Sequence, residues 1–114
     1  MSGGRWETMT QKLLDRATAA GIGVGQAGNP DTVKTLQVLG KVSSGTGSLT
    51  VNVKVGNNAD NLIAYPLGPI TLTLGTSMAS AGIEITGAWA YVAAEIPAGG
   101  ITGTGAECSA LLGG

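Results

Sequence analysis

Leu49-Thr50-Val51-Asn52-Val53-Lys54-Val55 alternates apolar and polar residues without a fault over its whole length. Successive side chains of a strand point to opposite faces, so the four apolar residues share one face and Thr50, Asn52 and Lys54 the other. That is the pattern of a strand with one buried face. Ile70-Thr71-Leu72-Thr73-Leu74 repeats it, with Pro69 at the start, where a missing N–H is tolerated, and Gly75 at the close. Ile83-Glu84-Ile85 alternates likewise. Residues 89–96 put Trp89 and Tyr91 on one face and Val92, Ala94 and Ile96 on the other. Residues 35–42 align Leu36, Val38, Gly40 and Val42, and residues 106–112 supply a last short strand.

Turn-forming clusters separate these runs: residues 28–31, 43–47, 56–60, 77–82 and 97–100. Short strands at regular intervals with glycine-rich turns predict an all-β chain, an antiparallel β-sandwich of jelly-roll-like form. The expected organisation is an N-terminal arm over residues 1–10 and one sandwich domain over 11–114, with no linker between domains. The segment before Gly21 reads two ways. Trp6, Met9, Leu13, Leu14 and Ala17 fall at amphipathic-helix spacing, whereas Thr8, Thr10, Thr18 and the alternation of residues 21–25 favour extended chain. A flexible arm followed by a strand is the expectation. Ser44-Gly45-Thr46-Gly47-Ser48 and Thr102-Gly103-Thr104-Gly105-Ala106 share one form and each precedes a strand, the trace a duplicated hairpin would leave.

Composition narrows the chemistry. Among 114 residues there are 20 glycines, 4 prolines, 6 basic and 7 acidic side chains, no histidine and a single cysteine. A Ser-His-Asp triad, a Cys-His dyad, a His-ligated zinc and an intrachain disulfide all need residues that are absent. A net charge of −1 offers neither a nucleic-acid footprint nor a polyanionic tail. No apolar run approaches the ~20 residues that span a bilayer, and no secretory h-region is expected at the N-terminus. So sparsely charged a surface suits packing against partners better than solitary solubility.

Four features invite a functional reading. Gly23-Val24-Gly25-Gln26-Ala27-Gly28 spells the G-x-G-x-x-G phosphate cradle, yet Gly28-Asn29-Pro30 opens no helix and no carboxylate follows at the ribose-binding distance. Asp60, Glu84, Glu95 and Glu107 could supply a hydrolytic carboxylate pair, but Glu84 reads as the outward residue of a strand. Residues 57–61 read as a turn rather than a calcium loop, having one aspartate. Trp89 and Tyr91 could form a sugar platform, but in a chain without phenylalanine Trp89 is expected in the core. Cys108 reads as a small buried apolar residue. No cofactor, metal, nucleic acid, membrane or small-molecule substrate is expected, and no enzymatic activity.

The chain resembles small β-sandwich virion proteins of tailed bacteriophages, of the head-decoration (cement) type. Residues 12–21, 34–40, 45–53, 67–72, 88–96 and 101–106 carry the likeness, which covers roughly residues 10–112. In such proteins a segment like Val53-Lys54-Val55-Gly56-Asn57-Asn58 is usually followed by Asp-Gly-x-x-Trp; here Asp60-Asn61-Leu62-Ile63-Ala64-Tyr65 stands without that Gly or Trp, and Ala93 replaces an arginine often found after the Tyr-Val pair. The resemblance implies a non-enzymatic protein on the capsid exterior, assembled in the bacterial cytoplasm, whose partners are the major capsid protein and further copies of itself as a dimer or trimer. Arg5, Trp6 and Met9 are the expected partner-binding residues, since tryptophan anchors are over-represented at interface hot spots. The alternatives are a tail or host-adhesion component of the same fold, and a small carbohydrate-binding module.

Overall fold

A computed structural model of the protein describes residues 10–27 and 33–113. Every element in it is a β-strand: β1 Gln11–Ala17, β2 Gly21–Gln26, β3 Lys34–Lys41, β4 Ser44–Asn58, β5 Asn61–Ala64, β6 Ile70–Leu74, β7 Ala79–Ile85, β8 Tyr91–Ile96, β9 Ile101–Thr104 and β10 Glu107–Gly113. All pairings are antiparallel. One sheet runs β1-β10-β3-β7; the other runs β2-β8-β4-β5, with β6 and β9 also on β4.

The 15-residue β4 organises the second sheet. Its second half pairs with β8 on one side and β5 on the other, and its first half continues those sides with β9 and β6. β5 and β6 are thus two pieces of one interrupted strand, as are β8 and β9. Main-chain bonds bridge the interruptions, from Tyr65 N–H to Val53 O (2.8 Å) and from Thr50 N–H to Gly100 O (2.7 Å). Counted this way there are eight strands, in the orders 1-8-3-6 and 2-7-4-5, which is the connectivity of a jelly roll. The antiparallel sandwich read from the alternating stretches is the fold observed.

The core lies between the sheets. Leu36 and Val38 of the first sheet, with Val42 just beyond it, meet Leu49, Val51, Val53, Val55, Val92 and Ile96 of the second, with Leu74, Ile85, Cys108 and Leu112 filling in. Burying a Val, Leu or Ile contributes about 1.5–3 kcal/mol each, and with no Phe available the core is made of many aliphatic contributions of similar size. Trp89 is half-buried against this cluster, and it lies in the β7–β8 loop rather than in a strand: β8 starts at Tyr91, not at residue 89. Its indole N–H donates to Thr86 O (2.9 Å).

Several boundaries differ from expectation. Residues 44–47, expected as a turn, are strand, because Ser44 pairs with Thr104 and Ser48 with Thr102, which leaves a turn of only Val42 and Ser43 between β3 and β4. The two similar five-residue motifs therefore face one another across a strand pair. Residues 79–82, also expected as turn, extend β7 because β3 offers a seven-residue register from Lys34↔Ile85 to Gly40↔Ala79. Residues 61–64 form β5 opposite the end of β4. The helical spacing before Gly21 is not realised from residue 10 onward: residues 11–17 are β1, pairing with β10, with register shifts that bring both Leu13 and Leu14 into the core. Arg5, Trp6 and Met9 lie outside the described residues.

Candidate interaction surface

The two outer faces differ in kind. β1 carries Lys12, Asp15 and Arg16, and the outer side of its sheet adds Lys41, Glu84 and Glu107. Arg16 sits at φ 52° in a bulge, donates its N–H to Ser109 Oγ (3.0 Å) and pairs with Glu107 (3.3 Å). Six charged side chains thus lie on this face, beside half-buried Leu39 and Leu111.

The outer face of the β2-β8-β4-β5 sheet is a grid that the register defines. One row is Ile22, Glu95 and Asn52; the next is Val24, Ala93, Lys54 and Ala64; the third is Gln26, Tyr91 and Gly56. Leu62 lies over Gly56, where a Cβ would stand 3.1 Å from its methyl carbon. Ile22 and Val24 remain 49% and 40% exposed, although each belongs to a paired strand. Two charges on this face neutralise each other, with Asp60 at its margin: Lys54 Nζ lies 3.2 Å from Glu95 Oε1, and Asn52 Nδ2 donates to the same oxygen (3.4 Å). The hydrogen bond from Lys54, then that from Asn52, holds the Glu95 carboxyl below its ordinary range, against a smaller opposing effect of burial. A grid of Ile22, Val24, Ala93, Ala64 and Tyr91 around one closed ion pair matches the charge-poor centre of a protein interface.

Three slight clefts are lined by described residues. One cleft of about 240 Å³ crosses this same face between Ile22, Lys54, Ala59, Asp60 and Leu62. Two others of about 250 and 210 Å³ lie at Gln26, Ala27, Ala90 and Tyr91, and along Asn52–Lys54 and Ala64–Pro69. All three fall under the ~300 Å³ at which small-molecule sites begin. Among the described residues no three His, Cys, Asp or Glu side chains converge as a metal centre requires.

The remaining residues singled out by sequence have structural duties. Gly23 and Gly25 of the G-x-G-x-x-G run lie in β2 with their Cα atoms turned toward β1. A Cβ at Gly23 would fall on the Leu13 carbonyl oxygen, so those glycines let two strands of opposite sheets touch. Glu84 is exposed on β7. Cys108 is 1% exposed in β10, and burial pushes its thiol up to about 11.

Tyr65 escaped the sequence reading. It is buried just after β5, and its hydroxyl reaches across to the other sheet, accepting from Thr86 N–H (3.0 Å) and lying 3.4 Å from Glu84 O as donor. The available signal was an aromatic followed directly by Pro66, breaking the alternation at the point where the strand is interrupted.

Comparison with protein-family models, with curated proteins and with solved structures finds no match to this chain.

Proposed function

We propose that the protein is a non-enzymatic virion structural protein of a tailed bacteriophage, which binds the outer surface of the assembled capsid and cements neighbouring coat subunits. The observation that carries this reading is the asymmetry of the sandwich among the described residues, one face bearing six charged side chains, the other a largely uncharged grid whose Lys54 and Glu95 are paired with each other. The likeness of residues 10–112 to decoration proteins agrees with it. Cementing needs no chemistry: a ligand that binds only the intact lattice adds RT ln(1 + [L]/Kd) to its stability, about 2.7 kcal/mol per site at a hundredfold excess over Kd. Arg5, Trp6 and Met9 extend the contact from the arm onto a neighbouring subunit.

Co-sedimentation with DNA-filled heads, emptied expanded heads, procapsids and isolated tails of the phage tests the proposal. Saturable binding to expanded heads at a fixed ratio to coat protein is expected. Ala64→Arg, which sets a second cation opposite Lys54 at the β5 margin of the grid, should weaken that binding at least tenfold, and removal of residues 1–9 should weaken it without unfolding the domain. Binding to tails alone would move the protein to the tail, and binding to neither would overturn the proposal.

A further inference from the structure

Of the sheet edges, β1 is bulged and charged, β7 carries Glu84, β9 is only four residues long, and the β5–β6 edge is interrupted over residues 65–69. β2 is different. Its six residues pair with β8 in unbroken register, carry no charge and no proline, and have no strand on their other side among the described residues. Alternate residues of an antiparallel strand turn both N–H and C=O to the same side. Ala27 N–H donates to Ala90 O (2.9 Å), so Gly21, Gly23 and Gly25 face β8, while Ile22, Val24 and Gln26 face outward.

Gln26 is already satisfied. The Gln11 side-chain amide donates to Gln26 O (2.6 Å) and accepts from Gln26 N–H (3.2 Å), taking the place of a neighbouring strand's peptide. The open edge is therefore Ile22 and Val24 alone, two donors and two acceptors bordered by two exposed aliphatic side chains. A glutamine that closes the ladder at one end limits what can be added and fixes where it sits.

We infer that the free edge of β2 is a self-association surface, on which a second copy of this chain pairs antiparallel about a twofold axis at Gly23. In that register Ile22 stands opposite Val24 of the partner subunit and Val24 opposite Ile22 of the partner subunit. It engages every open N–H and C=O in four intersubunit hydrogen bonds, places Ala20 opposite the occupied Gln26 of the partner subunit, and leaves the Gln11 amide in place. The neighbouring register centred on Val24 displaces Gln11, and the one centred on Ile22 calls on Ala20, which lies outside β2. The same patch meets itself, as a twofold interface requires, and being uncharged it meets no repulsion. The two grids join into one continuous outer sheet. This holds whether or not the partner of that sheet is a capsid, because it concerns the protein alone.

Single-cysteine variants read both the pairing and its register. Cys108, buried with a raised thiol, stays silent under mild oxidation. Opposed residues of such a pair have Cα atoms ~5.5 Å apart, within disulfide reach. An equimolar mixture of full-length Ile22→Cys and Val24→Cys chains should give a covalent dimer containing one of each, at least fivefold in excess over either variant oxidised alone. Sedimentation of the wild-type chain should show dimer at about 100 μM, and Val24→Pro, which removes one outward N–H while sparing the bonds to β8, should be monomeric with an unchanged circular dichroism spectrum. A wild-type chain monomeric at that concentration, or cross-linking equal in the single and mixed samples, would overturn the inference.

Discussion

Three residues hold features of the sandwich that a substitution can test. The Tyr65 hydroxyl satisfies Thr86 N–H at the side where β5 and β7 are both edges. Tyr65→Phe removes that acceptor and should lower stability by about 1–2 kcal/mol in urea unfolding, a loss that Thr86→Ala would not reproduce, because the amide remains. Gly87 has φ 109°, and a Cβ there would come within 2.7 Å of the Trp89 indole nitrogen. Gly87→Ala meets both obstacles and should lower stability by about 2–3 kcal/mol, with the tryptophan emission shifted toward that of solvent-exposed indole. Cys108 contributes a pH dependence. Its folded pKa lies above the unfolded one, so its contribution is fully present below the ordinary thiol value and is lost as pH rises toward 11. Stability should fall by about 2 kcal/mol between pH 8 and 11, measured as the wild-type loss in excess of that shown by Cys108→Ala.

Among the elements, β1 and β2 approach so closely that Gly23 leaves no room for a side chain. Gly23→Ala drives a methyl into the Leu13 carbonyl, a backbone atom that cannot turn aside, and should cost about 3 kcal/mol or more or prevent folding, seen as loss of cooperative thermal unfolding. The pair of Lys54 and Glu95 is a weaker device. Both side chains are partly exposed, so Glu95→Gln should cost under about 1 kcal/mol. The lowered carboxyl places that contribution above the ordinary glutamate range, to be lost as pH falls through the folded value. These elements also show what can be read without coordinates. β3, β4, β6 and β10 were legible because their alternation reports one buried face. β5 and the N-terminal third of β7 were not, because residues such as Ala79, Ser80 and Gly82 carry no periodic contrast and are strands only by virtue of the neighbour that pairs with them. The first four residues of β4 were hidden for the same reason: glycine, serine and threonine spell a turn until β9 is laid beside them. The aliphatic grid was half legible: Lys54 and Glu95 are visibly outward in sequence, but only the register reveals that they meet and that Ile22 and Val24 border them.

Over the whole molecule the connectivity is non-local. The first strand pairs with the last, and β10 lies between β1 and β3, so the first sheet cannot close until nearly all of the chain is present. Truncation after residue 106 should therefore abolish folding outright rather than trim stability, as judged by loss of cooperative urea unfolding. Refolding of the full chain should fall in the millisecond-to-second range of sandwiches rather than the microsecond range of helical bundles, measured by stopped-flow tryptophan fluorescence.

The pairing of Gln11 with Leu112 also sets both ends of the domain side by side at one pole of the sandwich. Opposed Cα atoms in such a ladder are only ~4.5–5.5 Å apart, so a linker of a few glycines joins them without strain. The chain is thus a natural candidate for circular permutation, with new ends opened at the exposed turn of residues 76 and 77 on the far pole. A permutant that folds would show that the order in which the strands are made is dispensable, and that their pairing alone defines the molecule.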